Sequence, residues 1–76
     1  MSVANDVPIA DGGIRLGQFL KLANLIDSGS DAKNVITAGL VRVNDEVETR
    51  RGRQLHPGDV VVLAGHSARV SGLANR

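Results

Sequence analysis

Ser30-Asp31-Ala32-Lys33-Asn34-Val35-Ile36-Thr37-Ala38-Gly39-Leu40-Val41-Arg42-Val43-Asn44-Asp45-Glu46-Val47 is the stretch in which the apolar period of the chain changes. Up to Thr37 the apolar residues Ala32, Val35 and Ile36 are three and four apart and share one helical face. Lys33, Asn34 and Thr37 fall on the other face, so the spacing predicts a short amphipathic helix over about residues 31–38. Ser30 is placed to cap it, Asp31 suits the positive end of its dipole, and Gly39 closes it. Beyond Gly39 the period becomes two. Val41, Val43 and Val47 alternate with Arg42, Glu46 and Glu48 around Asn44-Asp45, which predicts two strands joined by a tight hairpin turn. A type I′ turn asks for positive φ at both central residues, which Asn44 tolerates well and Asp45 less comfortably than glycine.

Upstream, Leu16, Phe19, Leu20, Ala23 and Ile26 form a second helical stripe, with Arg15, Gln18 and Lys21 off it. Asp27-Ser28-Gly29-Ser30 breaks that helix. Residues 1–13 show no sustained period and end in Asp11-Gly12-Gly13, so they read as a flexible tail with at most a short strand at Val7 to Ile9. Downstream, Arg50-Arg51-Gly52-Arg53 reads as a polar loop and Leu55 as a buried anchor. His56-Pro57-Gly58-Asp59 is a turn into the β-branched run Val60-Val61-Val62-Leu63. Residues 67–76 look like a partly ordered tail, leaving 14–66 as the folded domain. The order is helix, turn, helix, hairpin, basic loop, strand: an α+β fold with two helices on a small, mainly antiparallel sheet. Its expected core is Leu16, Phe19, Leu20, Ile26, Val35, Ile36, Val41, Val43, Val47, Leu55, Val61 and Leu63.

With 76 residues, 42% of them hydrophobic and 22% charged, one small globular domain is all the chain can build. The absence of cysteine removes disulfides, thiolate metal sites and cysteine nucleophiles. No apolar run approaches the roughly 18 residues of a membrane helix, and no secretory signal opens the chain, so a soluble, cytoplasmic monomer is expected. One phenylalanine with no tryptophan or tyrosine leaves little on which to stack bases or sugars. The net charge of +1 says little, but its distribution says more: Arg15, Lys21, Lys33, Arg42, Arg50, Arg51 and Arg53 all lie between residues 14 and 53.

Catalysis finds few candidates. His56 and His66 match no metal spacing, and Gly12-Gly13 is followed by none of the residues of a nucleotide loop, so no catalytic residue, metal or cofactor is expected. What remains is electrostatic. The start of the second helix, with Ser30, Lys33 and Asn34, can anchor a phosphate, and guanidinium forks suit phosphate oxygens. An ordinary capped helix and a solvated arginine loop would account for the same residues.

Residues 15–59 resemble the S-four-like (αL) RNA-binding domain, the module named after a small-subunit ribosomal protein and present in a tyrosyl-tRNA synthetase class and many pseudouridine synthases. The resemblance rests on Arg15-Leu16, on Ser30-Asp31-Ala32-Lys33-Asn34 with Ile36 and Gly39, on Val41-Arg42-Val43-Asn44, and on Leu55 with Pro57-Gly58-Asp59-Val60. Among relatives the chain is most similar to small stand-alone bacterial proteins. The resemblance implies an αL helix pair on a twisted sheet that binds structured RNA, ribosomal or tRNA-like, without catalysis. Arg15, Ser30, Lys33, Asn34 and Arg42 match positions the family uses or keeps polar. Gln18 and Lys21 on the first helix, and Arg50, Arg51 and Arg53 in the basic loop, complete the expected contacts. Asp45 departs from the family's usual hairpin glycine, and Gly29 stands where a basic residue is common.

Three other readings compete. The Val-rich strands and the Leu55 to Val60 stretch are also similar to β-grasp sulfur carriers, but Ala74-Asn75-Arg76 lacks the terminal Gly-Gly that thiolation requires. A DNA-binding helix-turn-helix would find only Lys33, Asn34 and Thr37 for base edges. A protein-interaction module would use Leu22 and Leu25, which widen the first stripe.

Overall fold

The computed structural model describes residues 5–9, 13–27 and 29–72. Its elements are β1 (Asn5–Pro8), β2 (Ile14–Arg15), α1 (Leu16–Leu22), α2 (Gly29–Thr37), β3 (Val41–Val43), β4 (Glu46–Val47), β5 (Gln54–Leu55), β6 (Val60–Leu63) and β7 (His66–Ser71). Five strands form one sheet in the order β1-β7-β6-β3-β4, and β2 and β5 form a separate antiparallel ribbon. Every pairing in the large sheet is antiparallel except β1 with β7. This is the expected α+β arrangement, with both helices against one face of the sheet.

Both helices end through local chemistry. In α1 the expected stripe runs on to Ile26, yet the helix stops at Leu22. Asn24 turns left-handed, at φ 64°, and Leu25 N–H reaches back to Leu20 O at 2.9 Å, the five-residue step of a Schellman closure. Ala23 and Ile26 still pack on the core as half-buried side chains. The second helix closes the same way, with Gly39 at φ 77° and Leu40 N–H on Val35 O at 3.0 Å. It begins at Gly29, so Ser30 lies inside its first turn rather than at the cap. The preceding position, 28, is outside the described residues.

The hairpin between β3 and β4 turns through Asn44 at φ 53° and Asp45 at φ 71°, both positive as a type I′ turn requires. A two-residue turn pairs Val43 with Glu46 and Arg42 with Val47. Paired residues point to the same face, so Val47 goes outward with Arg42 and is 53% exposed. Its assignment to the core is therefore corrected: counting in twos straight through the turn inverts the parity of the second strand. The same inversion brings Glu48 inward. Its N–H bonds Val41 O at 3.0 Å, and only 6% of the residue is exposed.

The buried core contains Leu16, Phe19, Leu20, Ile36, Val41, Val43, Leu55, Val61 and Leu63 as expected, together with Ile9, Ala32, Ala68 and Val70. Three of those additions come from stretches read as tails. Within residues 67–76, positions 67–71 continue β7, whose Ala68 and Val70 point inward while Arg69 points out. Within residues 1–13, β1 lies parallel to β7, and Ile9 N–H donates to Ser71 O at 2.9 Å. Arg69 is consequently fixed in the sheet, its guanidinium on the Asp6 carboxylate at 2.8 and 3.0 Å. Residues 1–4, 10–12 and 73–76 lie outside the described residues. No helix among the described residues is long and apolar enough to cross a membrane.

The turn geometry sets one expectation. Asp45 is exposed and held at positive φ, where a Cβ is unfavourable. Asp45→Gly raises the thermal midpoint, with a gain of up to about 1 kcal/mol. A lower midpoint in a thermal melt followed by circular dichroism would contradict the type I′ assignment.

Candidate nucleic-acid interface

The polar loop after β4 is organised by the inward carboxylate of Glu48. Arg50 donates to it three times, from its backbone N–H at 3.0 Å, Nε at 3.1 Å and Nη2 at 3.3 Å, and Arg53 donates from Nη1 at 2.9 Å. The Arg50 hydrogen bond is the largest influence on the Glu48 carboxyl. With Arg53 and the Arg50 N–H it outweighs the cost of burial and holds the group at about 2, against an ordinary value of 4.5. Two of the loop's three arginines are thereby tied to one acid, which offsets one of their two charges. The third is not: no carboxylate pairs with Arg51 among the described residues.

The same loop is stitched to the start of α1. Leu16 N–H donates to Arg53 O at 2.8 Å and Gly17 N–H to Arg51 O at 3.0 Å. These donors would otherwise be free at the helix N-terminus, so α1 offers an anion its side chains rather than its first backbone amides. Arg15 precedes the helix, and Gln18 Oε1 accepts its N–H at 3.4 Å.

Between loop and helix opens a cleft of about 400 Å³ lined by Arg15, Gly17, Gln18, Lys21, Ala32, Arg51 and Gly52. Among the described residues, three cations and no acid line it. Of the residues expected from sequence, the structure gathers Arg15, Gln18, Lys21 and Arg51 here. Others are elsewhere. Arg42 points away from the helices, on the sheet face it shares with Val47 and Val62. Asn34 lines a separate groove with Asp27, Asp31, Leu25 and Leu40. Ser30 and Lys33 are exposed on α2, where helical spacing puts them on one flank with Thr37, opposite Asp31 and Val35. Arg50 and Arg53 serve Glu48. His56 and His66 are both exposed, and the described residues contain no group of three or more metal-ligating side chains placed to hold an ion.

Sequence reasoning missed Glu48, and a signal for it existed: pairing 43 with 46 across a two-residue turn places 48 opposite Val41, on the core side. It also missed Gly17, which gives no signal in a helical stripe.

The S4 domain family model matches residues 7–71, nearly the whole of the described sheet and both helices. The chain belongs to the S4 domain family. Within it, the "Probable ribosome maturation protein RlbA" of Bacillus subtilis is 51% identical over 63 residues, covering 83% of this chain and 89% of that one. YbcJ of Escherichia coli is 40% identical over 57 residues, covering 75% of this chain and 81% of its own. The solution structure of YbcJ, a protein with an αL motif involved in RNA binding, superposes with a TM-score of 0.64 at 34% identity, covering 93% of this chain and 94% of that one. This S4 domain thus has the αL helix pair that the sequence resemblance implied.

The Glu48 clamp carries a pH signature. A carboxyl whose folded value lies below its unfolded one adds stability that is present above the unfolded value and lost as pH falls towards the folded value. In melts of wild type and Glu48→Gln, the wild-type advantage is full above pH 4.5, narrows below it, and is gone near pH 2. A difference independent of pH over that window would show that the charge of Glu48 is not what holds the loop.

Proposed function

We propose that this S4 domain binds structured RNA without catalysing a reaction on it, and that the phosphate backbone rests in the cleft between α1 and the 50–53 loop. The observation that carries this reading is the convergence of Arg15, Lys21 and Arg51 on one cleft with no acid among its described lining residues. Guanidinium and ammonium groups attract phosphates, and Gln18 can add a neutral donor. Phe19, which is alone among Phe, Tyr and Trp in this chain, is fully buried, so none of these large rings is exposed for base stacking. Recognition then falls to charge and shape, which suits folded RNA, whose deep, narrow groove hides its base edges from side chains.

Among folded RNAs we favour ribosomal RNA over tRNA. A relative that aligns over 83% of this chain has a name tying it to ribosome maturation. The exposed flank of α2 with Ser30 and Lys33 can extend contact beyond the cleft where the RNA is large enough to reach it.

The test is a titration against a ribosomal RNA fragment across salt concentrations. Three cleft cations set against phosphates release the counterions condensed there and give a slope of log K on log salt of roughly −2 to −3. Arg51→Glu and Lys21→Glu each weaken binding about tenfold or more at fixed salt, while Arg42→Glu, the same charge change on the far sheet face, costs less than about threefold. Equal losses from all three would reduce the interaction to a general field. A salt-independent affinity would remove the phosphate contacts altogether.

A further inference from the structure

Gly17 stands inside α1, and it is not among the glycines of positive φ, so nothing in its backbone conformation calls for glycine. A glycine within a helix weakens it relative to alanine. What the position does require is the absence of a side chain. A Cβ there would lie 2.6 Å from Cγ of Arg51, far inside contact distance, and 3.2 Å from its Cδ, a tight contact, yet 3.6 Å from Arg51 O, an ordinary separation. The obstacle is thus the aliphatic stem of the arginine and not the loop backbone. Turning Arg51 about χ1 would relieve it and leave the Gly17 N–H bond to Arg51 O, at 3.0 Å, in place.

We propose that Gly17 is a positioning residue for RNA binding: its bare Cα is the seat on which the stem of Arg51 lies, and that seat aims the guanidinium into the cationic cleft. This rests on the reading of the cleft as the phosphate site. Long flexible side chains lose entropy when a ligand fixes them, and a stem already laid along a helix has less left to lose. Glu48 holds the loop on which Arg51 is carried through Arg50 and Arg53, and Gly17 orients the one arginine of the three left for a ligand. Alanine at 17 would strengthen the helix while swinging the arginine off its seat, so stability and binding would move in opposite directions.

The experiment compares wild type, Gly17→Ala, Arg51→Gln and the double variant of the full chain, each melted and each titrated against the same ribosomal RNA fragment. Arg51→Gln loses about tenfold and flattens the salt slope by about one unit. Gly17→Ala melts no lower than wild type and loses about threefold or more, and the double variant binds within about twofold of Arg51→Gln, because both changes act on one contact. If Arg51→Gln weakens binding but Gly17→Ala does not, or if the two losses multiply in the double variant, the positioning role is overturned while the cleft reading stands. A clear fall in the melting temperature of Gly17→Ala would also overturn it, by showing that the glycine serves the fold. An Arg51→Gln protein that binds as wild type would overturn the cleft reading itself, and the proposal with it.

Discussion

The carboxylate of Glu48 is the point from which the polar half of this domain is built. It is turned inward by the register of a two-residue hairpin, and a buried carboxylate must find donors or lose its charge. Arg50 and Arg53 supply them, which bends residues 50–53 into a tight loop, and the carbonyls of that loop then take the first amides of α1. The next residues, Gln54 and Leu55, pair with Arg15 and Ile14. One acid therefore holds a loop, a helix start and a strand ribbon in register. Removing the arginines leaves the buried carboxylate without donors, whereas removing Glu48 returns Arg50, whose side chain is already 76% exposed, to water.

The division of labour among the arginines follows. Three arginines in four residues look interchangeable on a sequence, and their summed charge looks like the signal. In the structure two of them are structural, and the third gains its position from them and from the helix beside it. A chain of net charge +1 can in this way present a locally cationic cleft without a strongly basic surface.

Much of the fold was legible because its signals are local. The change of period at Gly39, the β-branched run of β6 and the positive φ expected of Asn44 depend on neighbours a few residues away. Other features depend on arithmetic across a turn or on distant partners. Alternation carried straight through the Asn44-Asp45 turn puts Val47 and Glu48 on the wrong faces, because a two-residue turn reverses it. Asn24 ended α1 four residues early, as a left-handed cap hidden within an apolar stripe that continues for packing reasons. β7 was illegible because its inward residues are only Ala68 and Val70, too small an apolar signal without β6 beside it. Of the candidate site, the residue types were readable and the grouping was not. Arg15, Lys21 and Arg51 meet through tertiary packing, whereas Arg42, equally promising on paper, is sent to the opposite face by strand alternation.

The parallel pairing of β1 with β7 has a consequence for how the chain assembles. Asp6 and Arg69, joined across that pair, are 63 positions apart, whereas the helix pair and both hairpins close over short separations. Closing a long loop costs entropy that only finished neighbours can offset, so β1 has no template until β7 has folded back on β6. Pairing of β1 therefore depends on β7 being in place beside it. As an edge strand joined on one side only, β1 is held in the sheet by that single ladder and by the Asp6–Arg69 pair.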